Sequence, residues 1–405
     1  MLTSLIAALV PLTLAPQAAL PQPTAFALRA AQVHLPDGSS IQDGIVLVDG
    51  GRIREVGRGV RIPSGMPLIE HAGSISAGLV ACHSYDGLQG RGTDTTRALL
   101  PELRVADSFH PSHKDFERAL AAGVTSVVLV PGPGNLIGGL CAVVRTHGGT
   151  LLERESHLSL ALDGSALMRT RVPTSYAGAL EQLEQLFAER EGSVGRALSG
   201  KLPVMIEVDE RHEIARALDF AAKHGLRGAL SGGPLAGELA QRIHASGLSV
   251  VLPPFELGTE ERALRTPAQL AEAGVPFAFG MDAPGSAPAG LRLSAALSVQ
   301  HGLDPQTALR ALTSEAARIA GVEERVGRVE SGRDADLVLW SGHPLELSSS
   351  VQAVYVAGVL AWSAKPAPKP VTASSSSAAE PVTASDSKAA EPVTASDSTA
   401  AEGTR

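Results

Sequence analysis

The stretch LPVMIEVDERHEIARALDFAAKHGLRGALSGG, residues 202–233, decides the reading of the fold. It opens on a nearly unbroken apolar run, LPVMIEV, as a strand covered on both faces requires. A helix-like segment follows from 213 to 224, and then a second apolar run, LRGALS. A strand, a helix and another strand in that order imply parallel pairing, because a crossover must carry the chain back to the start of the sheet.

The same alternation extends in both directions. Further helix candidates lie at 112–122, 175–189, 235–246 and 304–320, and further strand candidates are ISAGLVAC, TSVVLV, LSLAL, LSVVLP and VPFAFG. The last helix is marked at both ends: Asp304 suits a cap, Pro305 suits the first turn and Gly321 can end it. About 250 residues of such alternation, 75–320, predict an α/β fold of the closed (β/α)8 kind, a TIM-like barrel. An open doubly wound sheet is the alternative, but no glycine-rich dinucleotide fingerprint follows an early strand.

Outside this region the pattern changes. Residues 26–74 and 327–362 form short β-like runs, each too thin to cover a core alone. Pairing of the two chain ends into one composite β-sandwich domain is therefore expected. Residues 1–20 are almost wholly apolar and end in small residues, which predicts a signal peptide and export to a periplasmic or extracellular location, although the segment has no Lys or Arg. From 364 to 405 an 11-residue unit occurs three times, from Pro370, Pro381 and Pro392, with Val as its one larger apolar residue. Such a unit cannot bury enough to offset its ordering entropy, so a disordered tail is expected.

Composition narrows the function. The 405 residues are 44% hydrophobic, enough for a large core, and 34 Lys plus Arg stand against 42 Asp plus Glu. The resulting charge of −8, with no clustered basic patch, argues against nucleic acid. After the leader no stretch is long enough for a membrane span. Cys82 and Cys141 allow one disulfide at most. No G-x-S-x-G elbow is present.

Several segments together resemble the amidohydrolase superfamily, especially its imidazolonepropionase-like, exported branch. They are GRVESGRDADLVLWSGHPL (327–345), ALTSEAARIAGV (311–322), DGIVLVDGGRIREVG (43–57), AGLVACHSY (77–85), AAGVTSVVLVPGPGNLIGG (121–139) and AGVPFAFGMDAP (273–284). The resemblance implies a small-molecule substrate or ligand and a barrel with a divalent metal, commonly zinc, at the carboxyl ends of the strands. A metal-bound water would then attack a C–N bond of an amide or cyclic amide. Metal coordination lowers the pKa of water from about 15.7 towards 7, and a neighbouring carboxylate can carry the proton.

Taken residue by residue, the resemblance points to His83, Glu207 and Asp282 as metal ligands, with Asp282 also the catalytic proton carrier. It also exposes departures. Tyr85 stands where the family has a second histidine, Ala81 where it often has an acid, and Ser231 and Gly232 where a further histidine is expected. Tyr85, Asp209 and Asn135 are candidate substrate-binding residues; Asn135 lies in a glycine-rich loop whose amides suit an anion, or which is simply a tight turn. His212 is a substitute ligand or a solvated helix-start residue, and His110 and His113 suit a surface or capping role as well as a metal. Two functions follow: a C–N hydrolase with an incomplete metal site, or a catalytically inactive amidohydrolase-like binding protein. A homo-oligomer is compatible with either.

Overall fold

The computed structural model describes residues 24–88, 92–282, 286–364 and 371–372. The expected leader at 1–20 lies outside these residues, as does the expected tail apart from Ala364, Val371 and Thr372.

The segment 202–233 folds as the strand Val204–Val208, the helix Arg211–His224 and the strand Gly228–Gly232, and the two strands pair in parallel. Parallel pairing continues in chain order from Leu158–Ala161 through Val204–Val208, Gly228–Gly232 and Ser249–Leu252 to Phe277–Phe279. The strands are apolar along their length because they are covered on both faces. Val204, Ile206 and Val208 pack with Ile214, Ala217 and Leu218 of the following helix. Met205, on the opposite face, joins a second core with Ala229, Val251 and Ala278.

That second core reaches the other sheet of the α/β region. Strands Leu79–Ser84, Val124–Leu129, Ala142–Arg145 and Leu151–Glu153 form a four-stranded sheet, and Val80, Val128 and Val143 pack with Met205 and Val251. One seam between the sheets is held by the Met281 N–H, which donates to the His83 carbonyl at 2.8 Å. The architecture is thus mixed α/β, with two sheets around a shared interior.

Two local expectations are corrected, and the open question of the cysteines is answered. The helix expected over 304–320 is two helices, Pro305–Leu312 and Ser314–Ala320, broken at Thr313, whose hydroxyl donates to Leu309 O at 2.7 Å. Its backbone there (φ −129°, ψ −96°) is not helical. The segment after TSVVLV does not turn directly into a helix; it makes the strands Ile137–Leu140 and Ala142–Arg145, which pair antiparallel with different sheets. Cys82 and Cys141 are buried free thiols, not a disulfide.

Both ends of the described chain meet in one further sheet. Leu337–Trp340 pairs antiparallel with Pro67–Ala77, with Leu339 opposite Ile75. On its far side Pro67–Ala77 pairs in parallel with Ala25–His34. Phe26, Leu28, Val46, Ile75, Leu339 and Tyr355 form its core. The segment DAD just before Leu337 ties this sheet to the α/β region: Arg145 lies 2.5 Å from Asp334 and 3.2 Å from Asp336.

Candidate functional site

Carboxyl ends of parallel strands leave backbone and side chains free to line a cavity, because the chain departs there into loops. A cavity of about 230 Å³ lies at these ends. Its wall takes His83 and Tyr85 from the end of Leu79–Ser84, Asp163 from just beyond Leu158–Ala161, and Glu207 from Val204–Val208. Ser231 and Gly232 come from the next strand, Pro253 and Pro254 follow Ser249–Leu252, and Gly280 and Asp282 follow Phe277–Phe279. Glu207 is two residues beyond Met205 and so shares its inward face.

Four residues singled out in the sequence therefore line one cavity: His83, Tyr85, Glu207 and Asp282. His83 Nε2 and Glu207 Oε1 are 3.9 Å apart, with side chains 15% and 14% exposed. The Tyr85 ring stands edge-on to His83, with centroids 5.1 Å apart. Burial, followed by the charges of Glu207, Asp282 and Asp163, pushes the Tyr85 phenol above its ordinary range, so it is a hydrogen-bond donor at neutral pH. Asp163 was missed in the sequence. It stands directly after an apolar strand, as Asp282 does, and that pattern was available to find it. Burial raises its pKa against the hydrogen bond from Ser165, and the charges of Glu207 and Glu213 raise it further.

Two other candidates are elsewhere. Asp209 is exposed and absent from the cavity wall; its N–H donates to Glu213 Oε2 at 2.9 Å, in the turn that starts the helix. Asn135 is buried and spent on its own loop, donating to Asp94 O at 2.9 Å and accepting from Arg171 at 2.7 Å. Neither placement suits a substrate-binding role. His212 pairs with Glu210 at 3.1 Å on the surface, and His113 pairs with Asp115 at 2.7 Å.

The wall can be tested against a divalent metal by its donors. A span of 3.9 Å between His83 and Glu207 suits two ligands of one zinc ion, each at about 2.0–2.2 Å. A third ligand is the difficulty. Among the described residues, no three His, Cys, Asp or Glu side chains are gathered so as to hold one ion. Tyr85 keeps its proton, and position 232 cannot carry an imidazole as the backbone stands: a Cβ there would lie 2.1 Å from Val208 O, at a φ of +96°. The donor set does not fit a resident zinc centre.

Comparison with known proteins places this geometry. Residues 193–363 match the model of the amidohydrolase family. The chain is 28% identical over 376 residues to an imidazolonepropionase of Cereibacter sphaeroides, covering 78% of this chain and 93% of that one. An imidazolonepropionase of Paracidovorax citrulli is 27% identical, covering 77% and 89%. A crystal structure of an amidohydrolase from Thermotoga maritima superposes with a TM-score of 0.77 at 26% identity, covering 84% of this chain and all of that one. The chain is a relative of the amidohydrolases. Within that superfamily it is imidazolonepropionase-like, a likeness that supports a hydrolase at family level. None of its described helices is long and apolar enough to cross a membrane.

Proposed function

We propose that this protein hydrolyses a C–N bond in a small, non-peptide amide, cyclic amides included, in the cavity lined by His83, Tyr85, Glu207 and Asp282. The observation that carries the reading is the meeting of a protonated phenol, an imidazole and carboxylates above the strand ends, beside apolar walls. Because the donors do not suit a metal, the chemistry is derived from the side chains. Asp282 takes a proton from water as its oxygen bonds to the acyl carbon. Tyr85 donates to the carbonyl oxygen as negative charge gathers there. When the C–N bond breaks, the proton returns to the leaving nitrogen. His83 and Glu207 orient the amide. The proposal extends to a closed eight-stranded barrel, to a composite domain formed by 26–74 and 327–362, and to export directed by 1–20.

The test is amide and cyclic-amide hydrolysis by the full chain before and after chelation, with metal content measured by mass spectrometry. Activity that survives chelation and falls at least 100-fold in Asp282→Asn is expected (roughly 10²–10⁴ for general acid–base catalysis). Activity restored only by added zinc would overturn the metal-free chemistry. A second reading, a catalytically silent binding pocket, is favoured by Tyr85 and Gly232 standing where the family has imidazoles. A folded chain inactive on every amide, with or without metal, selects it.

A further inference from the structure

We infer that the ligand of this cavity is an organic nitrogen cation, such as an amidine, a guanidine or a protonated amine. The inference rests on the reading of the cavity as the ligand site, and it starts from the disagreement with a resident metal. Three carboxylates, Asp163, Glu207 and Asp282, line a space of about 230 Å³. His83 is the one imidazole of the described wall. No lysine or arginine belongs to the described wall.

Three arginines of the described residues, Arg171, Arg216 and Arg145, do not supply the missing charge, because they are committed elsewhere. Arg171 donates to the carbonyls of Thr95, Arg97 and Gly134 and to Asn135. Arg216 lies over the Tyr176 ring, 3.9 Å from its centroid. Arg145 is paired with Asp334 and Asp336. In a metal enzyme the ion itself would neutralise such carboxylates. Among the described residues, the wall holds no lysine or arginine to do so, and a cationic ligand would supply that charge. The rest of the wall sets its shape: Val251, Leu252, Pro253 and Pro254 offer an apolar face, so a compact cation with an apolar body matches both halves.

Benzamidine, benzamide and benzoate share a shape and differ in charge, which makes them suitable probes. Each is titrated calorimetrically into the full chain at low and high salt, as is zinc chloride. Benzamidine is expected to bind at least tenfold more tightly than benzamide and to weaken with salt, while benzoate gives no binding. Glu207→Gln and Asp282→Asn should each weaken benzamidine at least fivefold, and by more than they weaken benzamide. Asp282 is exposed, so its variant keeps the test available if Glu207→Gln does not fold. Benzamide or benzoate binding as tightly as benzamidine, no benzamidine binding at ~10 mM, or stoichiometric zinc binding that benzamidine fails to match would each overturn the inference. Failure here with hydrolysis of neutral amides intact leaves the proposed reaction standing. Benzamidine binding without any hydrolysis removes the reaction and keeps the cation site.

Discussion

Two groups of carboxylates in this protein are treated in opposite ways. Where the terminal sheet meets the α/β region, Asp334 and Asp336 are buried against Arg145, itself only 4% exposed. Arg325 and Arg52 add to Asp334 at 3.2 and 3.5 Å, and the Ala357 N–H donates to Asp336 at 2.6 Å. In the cavity, Asp163, Glu207 and Asp282 share one imidazole and an apolar wall. The first group is satisfied within the fold and holds two regions together. The second leaves charge for something outside the chain to meet. The difference teaches that acidity alone does not mark a site; the absence of a committed internal partner does.

The comparison is broken most directly by Arg145→Ala. It should cost about 3–5 kcal/mol in chemical denaturation, because two buried carboxylates lose their main cation. A loss below ~1 kcal/mol would mean that the junction is not held by these charges.

Asp86 sharpens the contrast from another side. Just beyond Tyr85, it is fully buried beside the Ser84 side chain. Burial, and then the charge of Asp115, pushes its pKa up to about 6. The unfolded value is near 3.9, so its contribution to stability is complete below about pH 4 and is lost as the pH rises through 6. Wild type should therefore lose about 2 kcal/mol from this group between about pH 4 and pH 8, and Asp86→Asn should flatten that dependence. Identical pH profiles of denaturation would refute it.

The smallest expected effect lies in the cavity itself. Glu207→Gln and Asp282→Asn should leave stability within about 1 kcal/mol of wild type, shifted towards greater stability, because like charges are relieved. A loss as large as that of Arg145→Ala would make Glu207 or Asp282 a structural residue.

Legibility in the sequence followed the range of the interaction. The strand–helix–strand unit at 202–233 could be read because apolar runs and helix starts are local: each residue's burial repeats with the period of its own element. The break at Thr313 could not, since it lies within a segment whose composition is helical on both sides. Nor could the antiparallel strands Ile137–Leu140 and Ala142–Arg145, whose partners are distant in sequence and whose glycines read as a turn. Within the site, His83, Glu207 and Asp282 were picked out through the family resemblance. Asn135 and Asp209 were picked out on loop and strand position, and the packing uses them in turns.

By itself, the sequence determined the alternating α/β character, the identity of the strand-end residues and the missing imidazoles at 85 and 232. Only the tertiary structure decided which carboxylates share a cavity, which are neutralised by an arginine nearly two hundred residues away, and that Asp163 joins Glu207. Periodicity is written along the chain by short-range geometry. Charge balance in a cavity is a sum over strands that the chain brings together only when it folds.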